Sequence, residues 1–512
     1  MTIAPHPTKL LVRGGRVLDL AGDVDQPPVR DVLIEGDTIT AVAPRLSDER
    51  VRDVETIDAT GKLVIPGLVN AHYHSHDVLA KGLTEDLALE WWGVITGSLG
   101  SHRRRAEVRA RALAGAVECL RNGITTVQDM SSFLPMTDEV LDTILDAYAE
   151  AGIRVIYSVL VRDLSQIDTI PWIRDLAPPE LHDIIGTQAD PATPQMEFVA
   201  RQIDRIGDRG GLVRWALSPS APQRCTPVLM EAIADLSKRR GVPVYTHVYE
   251  SRTQRVFCQT HLRDYRGSAI RYMEATGLLG PTVTIAHGVW PEPDEIELIA
   301  RTGTSVVLNM LSNLKLKSGV APILEYRKRD VNLALGCDNC SCSDVQSLLQ
   351  VMKLYCLLSA VSSPERTAVT ASAAFRAATE GGARTAGLVD SIGAVRPGFK
   401  ADLVLLDLAD AAYVPFNSAI RQLVYADSGR SIETVIVNGR LVVRDRRVVS
   451  VDEAALHEEL RELMPAVRAD VEQRRRGYES VRPYLDEVHR RSWATPLGVQ
   501  RFVGSRGDTT PA

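Results

Sequence analysis

Short apolar runs set the rhythm of this chain, and their spacing changes from one region to the next. Through residue 65, "KLLVRGGRVLD", "DVLIEGDTITAVAP" and "GKLVIPG" alternate apolar and polar positions between Gly-Gly and Gly-Asp turns. That is the pattern of short strands with one buried face. The same texture returns in "KADLVLLDLA" and "IETVIVNGRLVVRD". Two β-rich pieces at opposite ends predict one small β-sandwich domain assembled from residues 1–65 and 393–450.

Between them, β-branched runs recur, each followed by a longer helical pattern such as "AEVRARALAGAVECLRNG" or "TPVLMEAIADLSKRRG". The predicted strands are 68–72, 124–128, 154–158, 213–217, 243–247, 283–287, 305–309 and 332–337. Eight parallel strands with crossover helices describe an α/β fold, a (β/α)8 TIM-type barrel over 66–392, whose chemistry belongs at the C-terminal strand ends. Beyond it, Leu456, Leu460, Leu463, Val467 and Val471 repeat at helical spacing. Residues 451–512 therefore read as a helical C-terminal extension that packs on the barrel or on a second subunit.

Composition narrows the class. A chain of 512 residues, 45% hydrophobic and 24% charged, is long enough for more than one compact domain. A net charge of −6 offers no field for nucleic acid or anionic lipid. No apolar run is long enough for a membrane span, the start lacks the pattern of a secretory signal, and no Gly-rich nucleotide fingerprint occurs. Seven cysteines form an odd count with no disulfide framework. Cys337, Cys340 and Cys342 in "CDNCSC" lack a fourth ligand for a zinc knuckle and are expected to be small buried hydrophobes. These features predict a cytoplasmic protein.

The chemistry lies in the histidines. "NAHYHSHD" spaces His72, His74 and His76 two apart at the end of the first predicted strand, where alternate residues face the same way. His247 ends the fifth strand, His287 the sixth, and the eighth runs into Asp338. Imidazoles with one carboxylate suit a divalent transition ion. His76 falls past the strand and is expected in a loop.

"PGLVNAHYH", "YTHVYE", "IAHGV" and "LGCDN" resemble the diagnostic blocks of the amidohydrolase superfamily, in order. "KGLTEDLALEWW" and "SNLKLKSGVAP" are similar to its aminohydrolase branch, which holds deaminases of guanine, cytosine and S-adenosylhomocysteine and the triazine hydrolases. The likeness spans about residues 8–450. Binuclear members bridge two ions with a lysine after the fourth strand, but no lysine lies between Lys81 and Lys238. The resemblance thus implies one ion, Zn2+ first and Fe2+ next, held by His72, His74, His247 and Asp338. It also implies roles: Asp338 takes the proton of the reacting water, His287 orients that water, and Glu250, in His-x-x-Glu, protonates a ring nitrogen.

Such a set demands an electrophilic carbon beside a protonatable nitrogen. The expected reaction is deamination of an amino-substituted N-heterocycle or an amidine- or guanidine-like substrate, releasing ammonia or an amine. A halide leaving group or the opening of a cyclic amide is the alternative. Trp92, Gln128, Arg224 (with Gln223) and Asn309 are the expected contacts to this small molecule, while Glu85 and Asp86 are expected to cap a helix. "SAPQRC" and "CDNCSC" depart from the wording of nucleoside deaminases and argue against a nucleoside. Relatives and the tail helix predict a homodimer or larger homo-oligomer.

Overall fold

The computed structural model describes residues 9–97, 99–186, 189–207, 209–363 and 368–502. Residues 1–8 of the predicted β domain and 503–512 of the predicted extension lie outside that range. All eight predicted parallel strands form. Leu68–His74, Ile124–Ser131 and Arg154–Val161 pair in order and are buried along their whole length, so even their polar residues, such as Asn70 and Asp129, lie inside. Val213–Trp215 and Ser218–Pro219 continue beside the third strand. Val244–Val248, Val283–His287, Ser305–Leu308 and Leu333–Leu335 form a second parallel run. A bridge from Leu217 to Val244 joins the two runs, and Asp338–Asn339 returns to pair with the first strand, Asp338 opposite Tyr73.

Local chemistry sets the crossover helices. Thr226 accepts the Leu229 N–H at the start of Pro227–Arg240, proline takes the first helical position, and Gly241 closes it in the left-handed region at φ 64°. Thr137 caps Asp138–Ala151 in the same way.

Strands from both chain ends share one nine-stranded sheet. Lys62–Pro66 pairs antiparallel with Leu403–Asp407, from Leu403 opposite Pro66 to Asp407 opposite Lys62. Leu10, Val12, Val64, Leu403 and Leu405 fill one core, whereas Val404 and Leu406, of opposite parity, pack toward the parallel strands.

The extension is a helix, Glu453–Ala494, lying on its own chain. Leu456, Leu463, Val467 and Val471 are buried, and Leu460 is partly so. At its far end, Arg252 donates to the carbonyls of Ser492 (3.0 Å) and Thr495 (2.6 Å) and lies 4.9 Å from the Trp493 ring. All seven cysteines are free and buried. Among the described residues, no helix is long and apolar enough to cross a membrane.

Candidate metal centre and active site

His72 and His74 share one face of the first strand, and their Nε2 atoms lie 3.2 Å apart. His247 brings its Nε2 to 3.3 Å from that of His74. Asp338 Oδ1 is 3.3 Å from both His72 Nε2 and His74 Nε2. Backbone carbonyls set the tautomers. His74 Nδ1 faces the Met130 carbonyl at 2.7 Å and His247 Nδ1 faces the Ser220 carbonyl at 2.6 Å. A carbonyl only accepts, so both Nδ1 atoms carry hydrogen and both Nε2 atoms present lone pairs. Lone pairs and a carboxylate oxygen packed this closely need a cation between them. The residues therefore fit a divalent ion.

Backbone geometry serves the same cluster. His287 (φ 72°) and Asp338 (φ 67°) both adopt the left-handed region at their strand ends, a strain found where side chains are aimed for function. Gly336 permits the approach: a Cβ there would sit 2.4 Å from Asn309 Oδ1 and 2.6 Å from the His72 Cβ.

Electrostatics divide the acids. Burial favours the neutral form of Asp338, but His72, then His74 and His287, outweigh it and hold the carboxyl well below the usual range. Glu250 goes the other way: burial, then the charges of Asp338 and Glu90, push it well above. Burial pulls His287 down to about 4, with Asp338 opposing. His74 is raised, because Asp338 and the Met130 carbonyl outweigh burial. His287 Nδ1 donates to Asn313 Oδ1 at 2.9 Å. Its Nε2 is buried without a hydrogen-bond partner, 3.5 Å from Glu250 Oε2 and 3.9 Å from Asp338 Oδ2.

These groups open on a cavity of about 170 Å³. Trp92, Gln223 and Arg224 line it, and Trp92 Nε1 donates to Ser341 Oγ at 3.0 Å. His76 lines it too, its Nδ1 accepting the Ser132 N–H at 3.2 Å; a 3-10 turn, Ser75–Ala80, follows the strand and swings it there.

Two expected substrate contacts lie elsewhere. Gln128 is mid-strand, because the second strand runs on to Ser131; its amide nitrogen donates to Thr385 Oγ1 (2.6 Å) and the Gly382 carbonyl (3.2 Å). Asn309 is fully buried, off the cavity wall, with Nδ2 3.3 Å from His287 Nδ1. Neither Glu85 nor Asp86 caps a helix: Leu89–Thr96 starts at Ala88 without a side-chain cap, and Asp86 pairs with Lys317 at 2.6 Å. Sequence reasoning missed Asp77, Glu90, Arg162 and Asn313. Asp77 stood in the "HSHD" block and accepts the N–H groups of Cys340 and Ser341, both at 3.1 Å.

The amidohydrolase family profile matches residues 63–442. A 5'-deoxyadenosine deaminase of Methanothermobacter thermautotrophicus is 31% identical over 87% of this chain and 95% of its own. A 5-methylthioadenosine/S-adenosylhomocysteine deaminase of Thermococcus onnurineus is 32% identical over 82% of this chain and 90% of its own. Among solved structures, an adenosine deaminase from Xanthomonas campestris with bound zinc superposes with a TM-score of 0.77 at 27% identity, covering 91% of this chain and 100% of that one. An atrazine chlorohydrolase from Arthrobacter aurescens complexed with zinc gives 0.76 at 26% identity, covering 89% and 100%. With the histidine and aspartate blocks of the superfamily gathered at one cavity, and the profile match spanning most of its length, the chain belongs to the amidohydrolase family.

Proposed function

We propose that this protein is a metal-dependent aminohydrolase that removes the exocyclic amino group of an amino-substituted N-heterocycle, an adenosine-type purine nucleoside before others. The observation that carries the reading is the convergence of His72, His74, His247 and Asp338 beside a buried Glu250 whose carboxyl is pushed well above its usual range by burial and by Asp338. The deaminase names of the relatives support the nucleoside, against the expectation drawn from "SAPQRC" and "CDNCSC". In the same reading the two parallel runs close into a (β/α)8 barrel over 66–392. The nine-stranded sheet folds as a sandwich from 1–65 and 393–450, and 451–512 is an extension.

His72, His74, His247 and Asp338 would hold the ion, with zinc favoured by three nitrogens and one oxygen and by the zinc in the structural neighbours. Bound there, a divalent ion lowers the pKa of water to ~7 and supplies the nucleophile. Asp338, kept ionised, accepts the water's proton. His287, fixed through Nδ1 by Asn313 with Asn309 alongside, directs Nε2 at the reacting centre. Glu250 delivers its proton to the ring nitrogen beside the attacked carbon and so drains the charge that would otherwise develop there. The proton held by Asp338 passes to the exocyclic nitrogen, which departs as ammonia as the C–N bond breaks, and the new hydroxyl returns a proton to Glu250 as the carbonyl forms. Trp92 offers an aromatic face to a flat ring.

The test is ammonia release from adenosine-type nucleosides, amino-purines, amino-pyrimidines and amino-triazines, with chloride release followed on a chlorotriazine and metal content measured on the same sample. The expected result is bound zinc, ammonia, and the oxo-heterocycle with its ring intact. Metal-loaded protein that releases no ammonia from any of them refutes the reading.

A further inference from the structure

His76 is the third histidine of "NAHYHSHD", and neither the proposed ligand set nor the proton-transfer groups include it. The segment around it is pinned from three directions. Ser75 N–H donates to Asp129 Oδ1 (3.0 Å), Asp77 takes the Cys340 and Ser341 N–H groups, and Arg111 Nη1 donates to the His76 carbonyl (3.3 Å). The ring is fixed as well, because its Nδ1 accepts the Ser132 N–H at 3.2 Å. A backbone N–H only donates, so Nδ1 holds a lone pair and Nε2 carries the hydrogen. Gly100 leaves room for this contact: a Cβ there would lie 2.0 Å from the Ser132 carbonyl oxygen and 3.3 Å from the His76 Cβ.

His76 is only partly buried and lines the cavity, and among the described residues nothing accepts from its Nε2. A fixed donor on a cavity wall is left for an acceptor that arrives with the ligand. Its place relative to the cluster says which part of the ligand it meets. The His76 ring lies 5.3 Å from the His74 ring, and His74 Nε2 is 3.3 Å from Asp338 Oδ1. Asp338 Oδ2 is 3.9 Å from His287 Nε2, which is 3.5 Å from Glu250 Oε2. Glu250 and His76 are thus the two ends of one row of side chains. Their strands agree. His76 follows the first strand and is tied to the second, whereas Glu250 follows the fifth and faces His287 of the sixth, across the proposed barrel.

We infer that His76 is a specificity-determining residue whose Nε2–H donates to a ring acceptor of the substrate, on the flank of the attacked carbon opposite the nitrogen that Glu250 protonates. The inference rests on the proposed deaminase reading and sharpens it. In a 6-aminopurine the attacked carbon has N1 on one flank and, one atom further, N7 on the other. N7 carries a lone pair in the plane of the ring and can accept from an N–H at that edge. A 4-aminopyrimidine has only a C–H on that flank and leaves the donor unpaired. His76 therefore selects for the fused ring, while the chemical step stays with the metal cluster and Glu250.

The experiment measures ammonia release from adenosine and from 7-deazaadenosine, in which C–H replaces N7, by the parent protein, His76→Phe and His76→Gln. Removing N7 also changes the reactivity of the ring, so the informative quantity is the ratio of the two kcat/KM values and its change between proteins. His76→Phe keeps an aromatic ring without the donor and should lower that ratio roughly 5- to 100-fold, through adenosine, with 7-deazaadenosine little changed. His76→Gln, which offers an amide N–H, should restore part of it. Zinc content should match the parent in both variants, since the proposed ligand set excludes His76. If His76→Phe does not fold, His76→Leu carries the same readout. An equal fall on both substrates marks a structural role; it overturns the inference and leaves the deaminase reading standing. If neither compound yields ammonia, the rise in Tm of zinc-loaded protein with each compound reports the contact directly. A larger rise with adenosine in the parent, lost in His76→Phe, keeps the contact and refutes the deaminase reading, whereas equal or absent rises overturn both.

Discussion

Arg154 begins the third parallel strand and Arg162 follows its last residue, and the two guanidiniums are treated in opposite ways. Arg154 is buried and fully engaged: it pairs with Asp402, donates to Asn438 Oδ1 at 3.0 Å and meets Thr126 Oγ1 at 3.3 Å. Asp402 in turn accepts the Asn438 N–H at 2.7 Å. At the other end of the strand, the Arg162 side chain has no ion-pair or hydrogen-bond partner among the described residues and opens on the cavity. His287 Nε2 and Arg224 Nε, both buried without a hydrogen-bond partner, share that end and that condition. At the N-terminal end the Arg154 charge is matched and ties the parallel strands to the chain-end strands. At the C-terminal end the charge of Arg162 is left for whatever binds in the cavity.

Asp338→Asn attacks the open end where it is most demanding. The carboxylate that faces both His72 and His74 at 3.3 Å becomes a neutral amide. Metal content and ammonia release should both fall below detection. A variant that kept both would show that the cluster does not need the charge, and the contrast between the two ends would lose its basis.

Glu250→Gln comes next. It should lower kcat roughly 10²- to 10⁴-fold while metal content and Tm hold, because the glutamate contributes a proton and no ligand atom. Burial, then the charges of Asp338 and Glu90, raise this carboxyl. The proton-bearing form therefore persists below the raised pKa and disappears as pH climbs through it. Parent kcat/KM should fall on the alkaline side, and the variant's residual rate should lack that limb. A pH–rate profile with an unchanged limb would remove Glu250 from proton delivery.

Arg154→Met tests the closed end. Breaking a buried pair leaves Asp402 without its cation and should cost about 3–5 kcal/mol of stability, read from urea unfolding. The folded fraction should retain kcat/KM within a few-fold. Adding Asp402→Asn should recover part of the loss, since the stranded charge is then gone. A large kinetic defect with normal stability would reverse the assignment of the two ends.

What could be read in advance follows the same division. The parallel strands were legible because burial on both faces selects short runs rich in apolar and β-branched residues. His72, His74, His247, His287 and Asp338 were legible because each sits at or just past the end of such a run. Gln128 was misjudged by three residues: the strand runs on to Ser131, past the last apolar run, because its final polar residues are buried too. Asn309 was expected against the substrate; the structure puts it fully buried, with Nδ2 3.3 Å from His287 Nδ1. Arg162 was invisible for a different reason. One arginine after a strand reads as a surface charge, and only the fold reveals that Arg224 faces the same cavity and that, among the described residues, no carboxylate pairs with either. Asp77 was hidden by a change of period, from strand to 3-10 turn, in the middle of a conspicuous motif.

The smallest predicted effect lies between the two extremes, in a polar chain at the cavity that is satisfied within itself. Ser341 Oγ donates to Asp77 and accepts the Trp92 indole N–H at 3.0 Å, while Asp77 also takes two backbone N–H groups of the turn after the eighth strand. Ser341→Ala removes the indole's acceptor and nothing from the metal cluster. One hydrogen bond is worth about 0.5–1.5 kcal/mol, so KM should rise by no more than about 10-fold. An aromatic face that holds the heterocycle equally before and during reaction contributes uniform binding, so kcat should stay near the parent value. Steady-state kinetics on the preferred nucleoside separate the two parameters. A fall in kcat with KM unchanged would mean that the Asp77–Ser341–Trp92 chain acts on the transition state, and Trp92 would then have to be counted with Glu250 and His287 among the groups that act in the chemical step.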